Sequence, residues 1–432
     1  MGFYIQGDAM KTYAYWNDHR SGTKPAFNRT PEAVDIAVIG AGFTGLSTAL
    51  GLARAGRSVA VIDAGEPGSG CSSRNGGMIG PSMHKLGLRG LTSKYGEKQA
   101  KDILSEGLRA IDFFRAFIET EGIDCDLQMT GRFRGAMSDQ DFQKLTEEVK
   151  DLETIPGFKA DVVPHSEQHH EVGTDLYRGG VVYHQDGGLN PAKLVDALTQ
   201  RVVDSGGMLV NNSFVKGWDR DKDGYRLSTA SGSIKAQEIV VATNGYTPYA
   251  FRKFRRRIIP IRSAIAVTEE LEPGLLDRLS PRSRMHGDTR RLVVYYRRTP
   301  DGKRLLLGSR SQGPLDAYDR IATGIRKTYS QIYPEITDLP FSHCWAGTVA
   351  YTFDHAPHTG TLDGVHYAMG YCGSGVVRSV FLGSRLAGKM LGRDDCRTAF
   401  DDLPFTAPFY YWGYPLGMNL LMKWHGLRDR MI

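Results

Sequence analysis

The chain has 432 residues, more than the roughly 250 to 300 at which one hydrophobic core stops growing, so we expect two domains around one site. Its 51 glycines follow no G-x-y period, which excludes a collagen-like fibre and favours tight turns and close backbone approaches to a ligand. The net charge of +6 is mild for this length, and the five cysteines form no C-x-x-C pair. A disulfide framework and a metal site are therefore not expected.

The first ten residues lack the basic start and the apolar stretch of an export signal, so we expect a cytoplasmic protein. The next element in chain order is a short apolar run, Val34 to Ile39, which predicts a buried parallel strand.

A glycine-rich turn with the pattern G-x-G-x-x-G, Gly40 to Gly45, follows this strand directly. A helical pattern comes next, and Ser58 to Ile62 predicts a second strand that ends at Asp63. Backbone N–H groups at such a turn face the phosphates of a dinucleotide, and the acid takes its ribose hydroxyls. The candidate cofactor contacts in this unit are Gly40, Gly42, Phe43, Thr44, Asp63 and Ala64.

A second glycine-rich loop, Gly65 to Gly80, follows at once, although a nicotinamide enzyme does not need one. FAD does, because the longer cofactor requires backbone access toward its isoalloxazine. A flexible surface loop is the alternative interpretation. The candidate contacts in this loop are Ser72, Ser73, Arg74, Asn75, Gly76, Gly77 and Met78.

A dense basic run occupies residues 252 to 257, and it is compatible with nucleic acid binding. No nucleic-acid-binding pattern accompanies it, so we expect a solvated turn and no nucleic-acid partner. Residues 403 to 422 carry no charge, but three prolines interrupt the segment, so no transmembrane span is expected. We expect this tail to pack on the protein, with membrane contact as the alternative.

The chain resembles the D-amino-acid-oxidase-like superfamily of flavoenzymes, and within it the branch of γ-glutamylputrescine oxidases. The similarity covers nearly everything from Tyr15 onward. It is carried by the motifs Tyr15-Trp16, Ser73 to Gly77, Ala242 to Tyr246, Trp345 to Gly347, Asp354 to Gly360, Gly370 to Val376, Pro415 to Met418 and Leu427 to Asp429.

This resemblance implies a bound FAD and adds cofactor contacts beyond the two loops. Gly373 to Val376 precede an apolar helix whose N-terminus would stabilise negative charge on the pyrimidine end of the reduced ring. An ordinary glycine-started helix is the alternative. The added candidate contacts are Val215, Thr243, Gly347, Gly373, Ser374, Gly375 and Val376.

The sequence also departs from the family pattern. Gly347 stands where sarcosine-oxidase relatives have a cysteine that tethers FAD, and Cys344 lies three residues earlier, so we expect non-covalent FAD. Leu306 stands where those relatives have an oxygen-activating lysine, and Ser374 where a histidine is frequent. These differences leave an oxidase and a dehydrogenase both open.

We expect a mixed α/β fold with a discontinuous Rossmann-like FAD-binding domain and a mixed-sheet substrate domain over the isoalloxazine face. The expected parts are an N-terminal arm (1–30), the FAD-binding domain (31–95, 181–260 and 341–395), the substrate domain (96–180 and 261–340) and a C-terminal tail (396–432).

In this family an amine passes a hydride to the flavin, and the resulting imine hydrolyses to an aldehyde or keto acid. The resemblance therefore implies a small amine or amino acid as substrate and O₂, giving H₂O₂, or another acceptor as oxidant. A dehydrogenase, a flavin monooxygenase and a non-catalytic flavin-binding module are the alternatives. The candidate substrate contacts are Tyr295, Arg297, Trp345 and His358, with Tyr296, His84 and Arg132 as further possibilities.

The substrate strand offers two orientations. Side chains alternate along a strand, so Tyr295 and Arg297 share one face and Tyr296 points to the other. Arg297 or Arg132 would anchor a carboxylated substrate such as a γ-glutamyl amine, because a guanidinium binds a carboxylate through two parallel hydrogen bonds. The alternative for His358 is a hydrogen bond only within its own loop.

Overall fold

The computed structural model describes residues 9–20, 27, 29–310 and 316–415. The first eight residues and the similarity expected at Leu427 to Asp429 lie outside these ranges. The helices are α1 (Phe43–Arg54), α2 (Gly87–Tyr95), α3 (Glu97–Thr120), α4 (Asp139–Leu152), α5 (Pro191–Asp204), α6 (Arg252–Arg255), α7 (Pro273–Leu279), α8 (Tyr318–Tyr329) and α9 (Gly375–Met390). The strands are β1 (Ala33–Ile39), β2 (Val59–Ile62), β3 (Met78–Ile79), β4 (Arg132–Gly135), β5 (Ala160–Pro164), β6 (Gly179–Tyr183), β7 (Gly187–Gly188), β8 (Met208–Val210), β9 (Val215–Asp221), β10 (Gly224–Thr229), β11 (Gly232–Val241), β12 (Ile259–Thr268), β13 (Met285–Asp288), β14 (Val294–Arg298), β15 (Leu305–Arg310), β16 (Phe341–Tyr351), β17 (His358–Leu362) and β18 (Val365–Met369).

The first large sheet contains the strand–helix–strand unit predicted at the N-terminal glycine turn. Its order is β17-β18-β11-β1-β2-β8, and β9 and β10 extend β11 as an antiparallel meander. β1 pairs in parallel with β2 and β11, which places their carboxyl ends at the same edge. Ligands bind at that edge in open α/β sheets.

Two faces of β1 are buried in two different clusters, which explains why its sequence is continuously apolar. Ile36 and Val38 pack with α1, α3, α5 and α9, whereas Ala37 and Ile39 face the cluster that includes the meander strands. α1 and α9 pack against each other through small residues, because a Cβ on Gly383 would lie 2.6 Å from the Thr44 carbonyl oxygen. This close packing brings both helix N-termini to one place.

The second large sheet has the order β16-β12-β15-β14-β13-β4-β6-β5 and is antiparallel except for the β13–β4 pair. Its outer face is covered by α7 and α8. Tyr296 is fully buried on that face, with its ring in edge contact with Tyr329 and Tyr333. The opposite face is therefore available to a ligand.

The division of the chain between the sheets differs from the expected one at two places. Residues 341–351 were expected in the nucleotide-binding part, but β16 pairs along almost its whole length with β12 in the second sheet. The segment from residue 96 was expected in the substrate part, but α3 packs its apolar face against α9. In both cases the location of the segment depends on contacts with residues that are distant in sequence, which a local pattern does not reveal.

The basic run 252–257 binds the chain that follows residue 404. Nε of Arg255 donates to the Gly413 carbonyl (2.9 Å), Nε of Arg256 to Tyr411 (3.1 Å) and Nε of Arg257 to Phe405 (2.8 Å). The described part of the tail is thus held against the protein, although Phe409 remains 85% exposed. Within the described ranges, no helix is long and apolar enough to cross a membrane.

Candidate active site

A cavity of about 1570 Å³ lies between the carboxyl edge of the first sheet and the inner face of the second. It is larger than the roughly 300 to 1,000 Å³ usual for a site that holds one small ligand. Both glycine-rich loops, the loop before α9 and strands β12, β14, β15 and β16 contribute to its lining. The volume accommodates a large cofactor together with a substrate.

The first glycine turn has the backbone geometry that phosphate binding requires. Gly40 has a φ of +110°, and a Cβ there would lie 2.9 Å from the carbonyl oxygen of Ala242. A Cβ on Gly45 would lie 1.9 Å from the Gly40 carbonyl oxygen, so only glycine fits. α1 begins with Gly42 as its N-cap, and the backbone N–H of Phe43 in its first turn donates to Oγ of Ser72 (3.1 Å). Gly42, Phe43 and Thr44 line the cavity, so the positive end of the helix dipole faces it.

Asp63 ends β2 and lines the same cavity. Its carboxylate accepts hydrogen bonds from the backbone N–H groups of Ala41 (2.7 Å) and Gly65 (2.9 Å). Burial raises the pKa of Asp63 above its ordinary value, and these two hydrogen bonds counteract part of the rise. The side chain is thereby fixed at the end of the strand, beside the glycine turn.

Three buried side chains bind the carbonyl groups of the second glycine loop. Nε1 of Trp345 donates to the Arg74 carbonyl (2.8 Å), and Nε1 of Trp16 donates to the Asn75 carbonyl (2.8 Å). Nη1 of Arg297 donates to the Gly77 carbonyl (3.1 Å). We call Trp16, Trp345 and Arg297 the loop clamp. The loop clamp binds these carbonyls on the side of the loop that faces away from the cavity. The opposite side of the loop therefore faces the cavity.

A second helix N-terminus faces the cavity at α9. Ser374 is its N-cap and makes no side-chain cap. The hydroxyl of Tyr371, three residues earlier, is 2.6 Å from Oγ1 of Thr44 in α1, which ties the two helix N-termini together. Anionic groups are stabilised at such N-termini.

Most candidate cofactor residues line this cavity, and two do not. The lining candidates are Gly40, Gly42, Phe43, Thr44, Asp63, Ala64, Ser72, Arg74, Asn75, Gly76, Met78, Val215, Thr243, Gly347, Gly373, Ser374, Gly375 and Val376. Ser73 and Gly77 belong to the second glycine loop but face away from the cavity. Oγ of Ser73 donates to the Gly68 carbonyl, and a Cβ on Gly77 would collide with the Leu189 carbonyl.

The substrate candidates separate into lining and buried residues. Tyr295 lines the cavity, packs against Gly76 and shares a hydrogen bond with Ser263 (3.0 Å). Burial raises the pKa of Tyr295 to about 12, so it stays neutral. Arg297 shares its strand face, but it is completely buried and does not reach the cavity. The expected carboxylate anchor at Arg297 is therefore replaced by a contact with the glycine loop.

The remaining candidates have structural partners. Trp345 is buried in the loop clamp. His358 is buried as well: its Nε2 is 3.0 Å from the Asp354 carboxylate, and its ring stacks on Phe405. The location thus agrees with the alternative that His358 bonds within its own loop. Arg132 lines the cavity but is ion-paired with Asp186, Nε to Oδ2 2.9 Å.

His84 lines the cavity with its Nε2 unpartnered among the described residues. Burial, followed by the nearby Arg378 and His355, lowers the pKa of His84 to about 4, so the ring is neutral near pH 7. No group of three or more His, Cys, Asp or Glu side chains in the described ranges is arranged to hold a metal ion.

The cavity residues that were not among the sequence candidates include Ser263 on β12, Arg310 at the end of β15 and Tyr351 at the end of β16. No motif marks them, because they belong to three strands that become neighbours only in the folded sheet.

The sequence profile of the family described as FAD dependent oxidoreductase matches residues 35–388, which is most of the chain. The protein belongs to this family. This FAD-dependent oxidoreductase is 28% identical over 406 residues to the γ-glutamylputrescine oxidoreductase of Escherichia coli, covering 92% of this chain and 93% of that protein. It is also 29% identical over 388 residues to the oxidoreductase OrdL of Haemophilus influenzae, with 88% of each chain covered.

Solved structures of flavoenzymes superimpose on this FAD-dependent oxidoreductase. Glycine oxidase from Geobacillus kaustophilus has a TM-score of 0.74 at 21% identity, covering 88% of this chain and 100% of that chain. L-proline dehydrogenase from P. horikoshii has a TM-score of 0.72 at 20% identity, covering 86% and 97%. At these identities the likeness establishes the fold, and it confirms the predicted mixed α/β class.

The site of this FAD-dependent oxidoreductase fits its cofactor. Two helix N-termini at the cavity and glycines that admit no Cβ match a pyrophosphate and a flavin approached closely by backbone. Near the flavin end, Gly347 lines the cavity without a side chain, whereas Cys344 is buried on the outer face of the sheet. Leu306, at the position of the relatives' lysine, is fully buried with Trp16 and Trp345.

Proposed function

We propose that this FAD-dependent oxidoreductase oxidises the C–N bond of a small carboxylated amine, of the γ-glutamyl amine or N-substituted amino acid type. The product imine then hydrolyses to an aldehyde or keto acid. The observation that carries the proposal is one polar cluster, Ser263, Tyr295, Arg310 and Tyr351, which shares the cavity with the α9 N-terminus. The E. coli relative named for γ-glutamylputrescine supports the substrate class.

FAD supplies the two-electron acceptor for this chemistry, and the chain supplies position, charge and exclusion of water. The N-terminus of α9, with Ser374 to Val376, would face the pyrimidine end of the flavin. The N-terminus of α1, with Gly40 to Thr44, would bind the pyrophosphate, and Asp63 the adenosine ribose. The loop clamp holds residues 74–77 in place, where they would lie beside the ring.

The protein contributes neutral groups around the amine. Tyr295 keeps its proton because of its raised pKa, and His84 is uncharged because of its lowered pKa. An amine must lose its ammonium proton before it can be oxidised, and a neutral surrounding favours the uncharged form. In this scheme removal of the ammonium proton is the one deprotonation required, so no strong base is needed for the later steps.

We propose O₂ as the electron acceptor, which would yield H₂O₂. The second candidate is a dehydrogenase that passes electrons to another acceptor, and a specific observation favours it: the buried Leu306 offers no charge next to the flavin end of the site. Oxygen uptake and H₂O₂ formation during turnover, compared with reduction of an artificial acceptor under nitrogen, separate the two.

The test of the proposed function is reduction of the bound flavin in the absence of oxygen and of NAD(P)H. The holoenzyme is mixed with matched amines that carry or lack a carboxylate, and loss of the yellow absorbance is followed. Rapid bleaching by the carboxylated amines is expected. Bleaching only after NAD(P)H addition would instead identify a monooxygenase, and equal bleaching by both amine sets would remove the carboxylate from the proposal.

A further inference from the structure

Three cavity residues form a row across three paired strands of the second sheet. Ser263 on β12 pairs with Arg310 on β15 and, on its other side, with Gly347 on β16. Directly opposed residues on neighbouring strands point to the same face of a sheet. Since Ser263 and Gly347 line the cavity, Arg310 points into it beside the position expected for the flavin, and it is itself a lining residue.

The guanidinium of Arg310 is oriented by Tyr351. Its Nη2 donates to the Tyr351 hydroxyl, and its Cζ lies 4.8 Å from the centre of the Tyr351 ring. The same hydroxyl would be 3.3 Å from a Cβ on Gly373, the glycine before the α9 N-cap. Arg310 is therefore held at the junction between the second sheet and the α9 N-terminus.

Arg310 differs in its partner from four other arginines that line the cavity. These four are ion-paired, with the closest contacts Arg89–Asp151 (2.7 Å), Arg290–Asp288 (2.8 Å), Arg132–Asp186 (2.9 Å) and Arg134–Glu148 (3.2 Å). Arg378 also lines the cavity without an ion pair to a described carboxylate, but it is buried and its Nη2 donates to the Ser82 carbonyl. Arg310 forms no ion pair with any of the described carboxylates, and the partner it does have is a neutral phenol. A half-buried cation that faces a cavity in this way is a site for an anion.

We propose that Arg310, oriented by Tyr351, binds the carboxylate of the substrate, with the hydroxyls of Ser263 and Tyr295 at the side. This inference rests on the proposed function and assigns its carboxylate recognition to one residue. Arg310 is the specificity-determining contact, and Tyr351 is a positioning residue.

The chemistry of the cluster matches a carboxylate. A guanidinium presents planar N–H donors that bind both oxygens of a carboxylate at once. The Tyr351 hydroxyl accepts from Arg310 and has its own proton left to donate. The nearby N-terminus of α9 adds positive potential, so an anionic substrate end is favoured at this corner of the cavity.

The experiment compares a carboxylated amine with its carboxamide on the holoenzyme, for example N-methylglycine and N-methylglycinamide. In Arg310→Met, kcat/KM for the acid should fall about 10- to 100-fold, mostly through KM, while the value for the amide changes less than about twofold. Arg310→Lys, which keeps a charge, should lose less. Tyr351→Phe should show a smaller loss that is again confined to the acid.

Two controls keep the result specific. Arg115→Met changes an exposed arginine of α3 that does not line the cavity, and it should leave both substrates unaffected. Arg74→Met tests the exposed arginine of the second glycine loop, which lines the same cavity. Equal losses for acid and amide in Arg310→Met, or a carboxylate preference removed only by Arg74→Met, would overturn the inference.

A titration without turnover separates this inference from the proposed function. Acetate added to the oxidised holoenzyme should perturb the visible flavin spectrum with saturation, and acetamide should not. The half-saturating acetate concentration should rise about 10- to 100-fold in Arg310→Met. If no amine reduces the wild-type flavin, the proposed function fails while this titration still decides the role of Arg310. Equal acetate binding by wild type and Arg310→Met would overturn that role.

Discussion

Arg297 is a buried cation whose hydrogen bonds all end on backbone carbonyls, those of Gly77, Leu189 and Arg298. Burial lowers its pKa to about 10, so it remains charged at neutral pH. Its role is therefore to hold the second glycine loop, and substrate binding is left to residues that reach the cavity.

For Arg297→Met we expect the free energy of unfolding to fall by about 1 to 3 kcal/mol, because buried carbonyls lose their donor. FAD affinity should fall with it, while the preference for acids over amides is retained. Thermal unfolding, FAD titration of the apoprotein and the acid-to-amide comparison measure these effects. A lost acid preference with unchanged stability would show that Arg297 does contact substrate.

Asp63 is expected to bind the ribose of FAD. Replacement by alanine removes charge-assisted hydrogen bonds, so the dissociation constant of FAD should rise about 10- to 100-fold. Asp63→Asn keeps one acceptor oxygen and should lose less. Titration of the apoproteins with FAD is the measurement, and unchanged affinity in Asp63→Ala would refute the assignment.

The pH dependence of kcat/KM should follow the substrate and not the protein. Burial lowers the pKa of His84 to about 4 and raises those of Cys71 to about 11 and Tyr295 to about 12, so these cavity groups keep one protonation state between pH 6 and 9. kcat/KM should therefore rise with pH up to the ammonium pKa of the amine. Two substrates with different ammonium pKa values should give two different inflections, whereas one shared inflection near neutrality would point to a protein group.

The sequence predicted the glycine turns that line the cavity, because each is a local pattern whose backbone geometry follows from the residues themselves. Their contacts with FAD stay a prediction. It was not sufficient for the substrate side. Alternation along β14 correctly placed Tyr295 and Arg297 on one face, yet only the fold shows that the glycine loop lies over Arg297. Arg310 and Tyr351 meet through strand pairing, which no single segment encodes.

At the scale of elements, the turn at Gly77 leaves no room for a side chain. Its φ is +66°, and an added Cβ would lie 2.1 Å from the Leu189 carbonyl oxygen. Gly77→Ala should therefore displace the loop and weaken FAD binding strongly. Gly157→Ala is the matched control, because Gly157 has a φ of +86° with no atom near its Cβ position, so only a strain of about 1 to 2 kcal/mol is expected. Equal FAD affinity in the two variants would contradict the packing argument.

Element prediction succeeded where burial and sequence period coincide. The strands predicted at Val34 to Ile39 and at Ser58 to Ile62 are present as β1 and β2. The assignment of elements to sheets was harder. β16 carries Gly347, a candidate flavin contact, which suggested the nucleotide-binding part, but the hydrogen bonds of β16 go to β12. β16 is thus hydrogen-bonded within the second sheet, while one of its faces lines the cavity.

At the scale of the whole molecule, the cofactor would contact both sheets without a covalent bond to either. Gly347 offers no thiol, so acid precipitation of the holoenzyme should release the yellow colour into the supernatant. Colour that stays with the pellet would show a covalent link. Cys71 and Cys372, whose thiols line the cavity, would then be the residues to replace.

The loop clamp has an optical consequence. Of the five tryptophans in the chain, Trp16 and Trp345 donate hydrogen bonds directly to the second glycine loop. Their indoles are thus held against the loop that is expected to contact the flavin, whose absorption overlaps indole emission. Ultraviolet excitation of these two rings should be transferred to the bound cofactor. The intensity of tryptophan fluorescence should therefore report whether the loop lies against the bound cofactor.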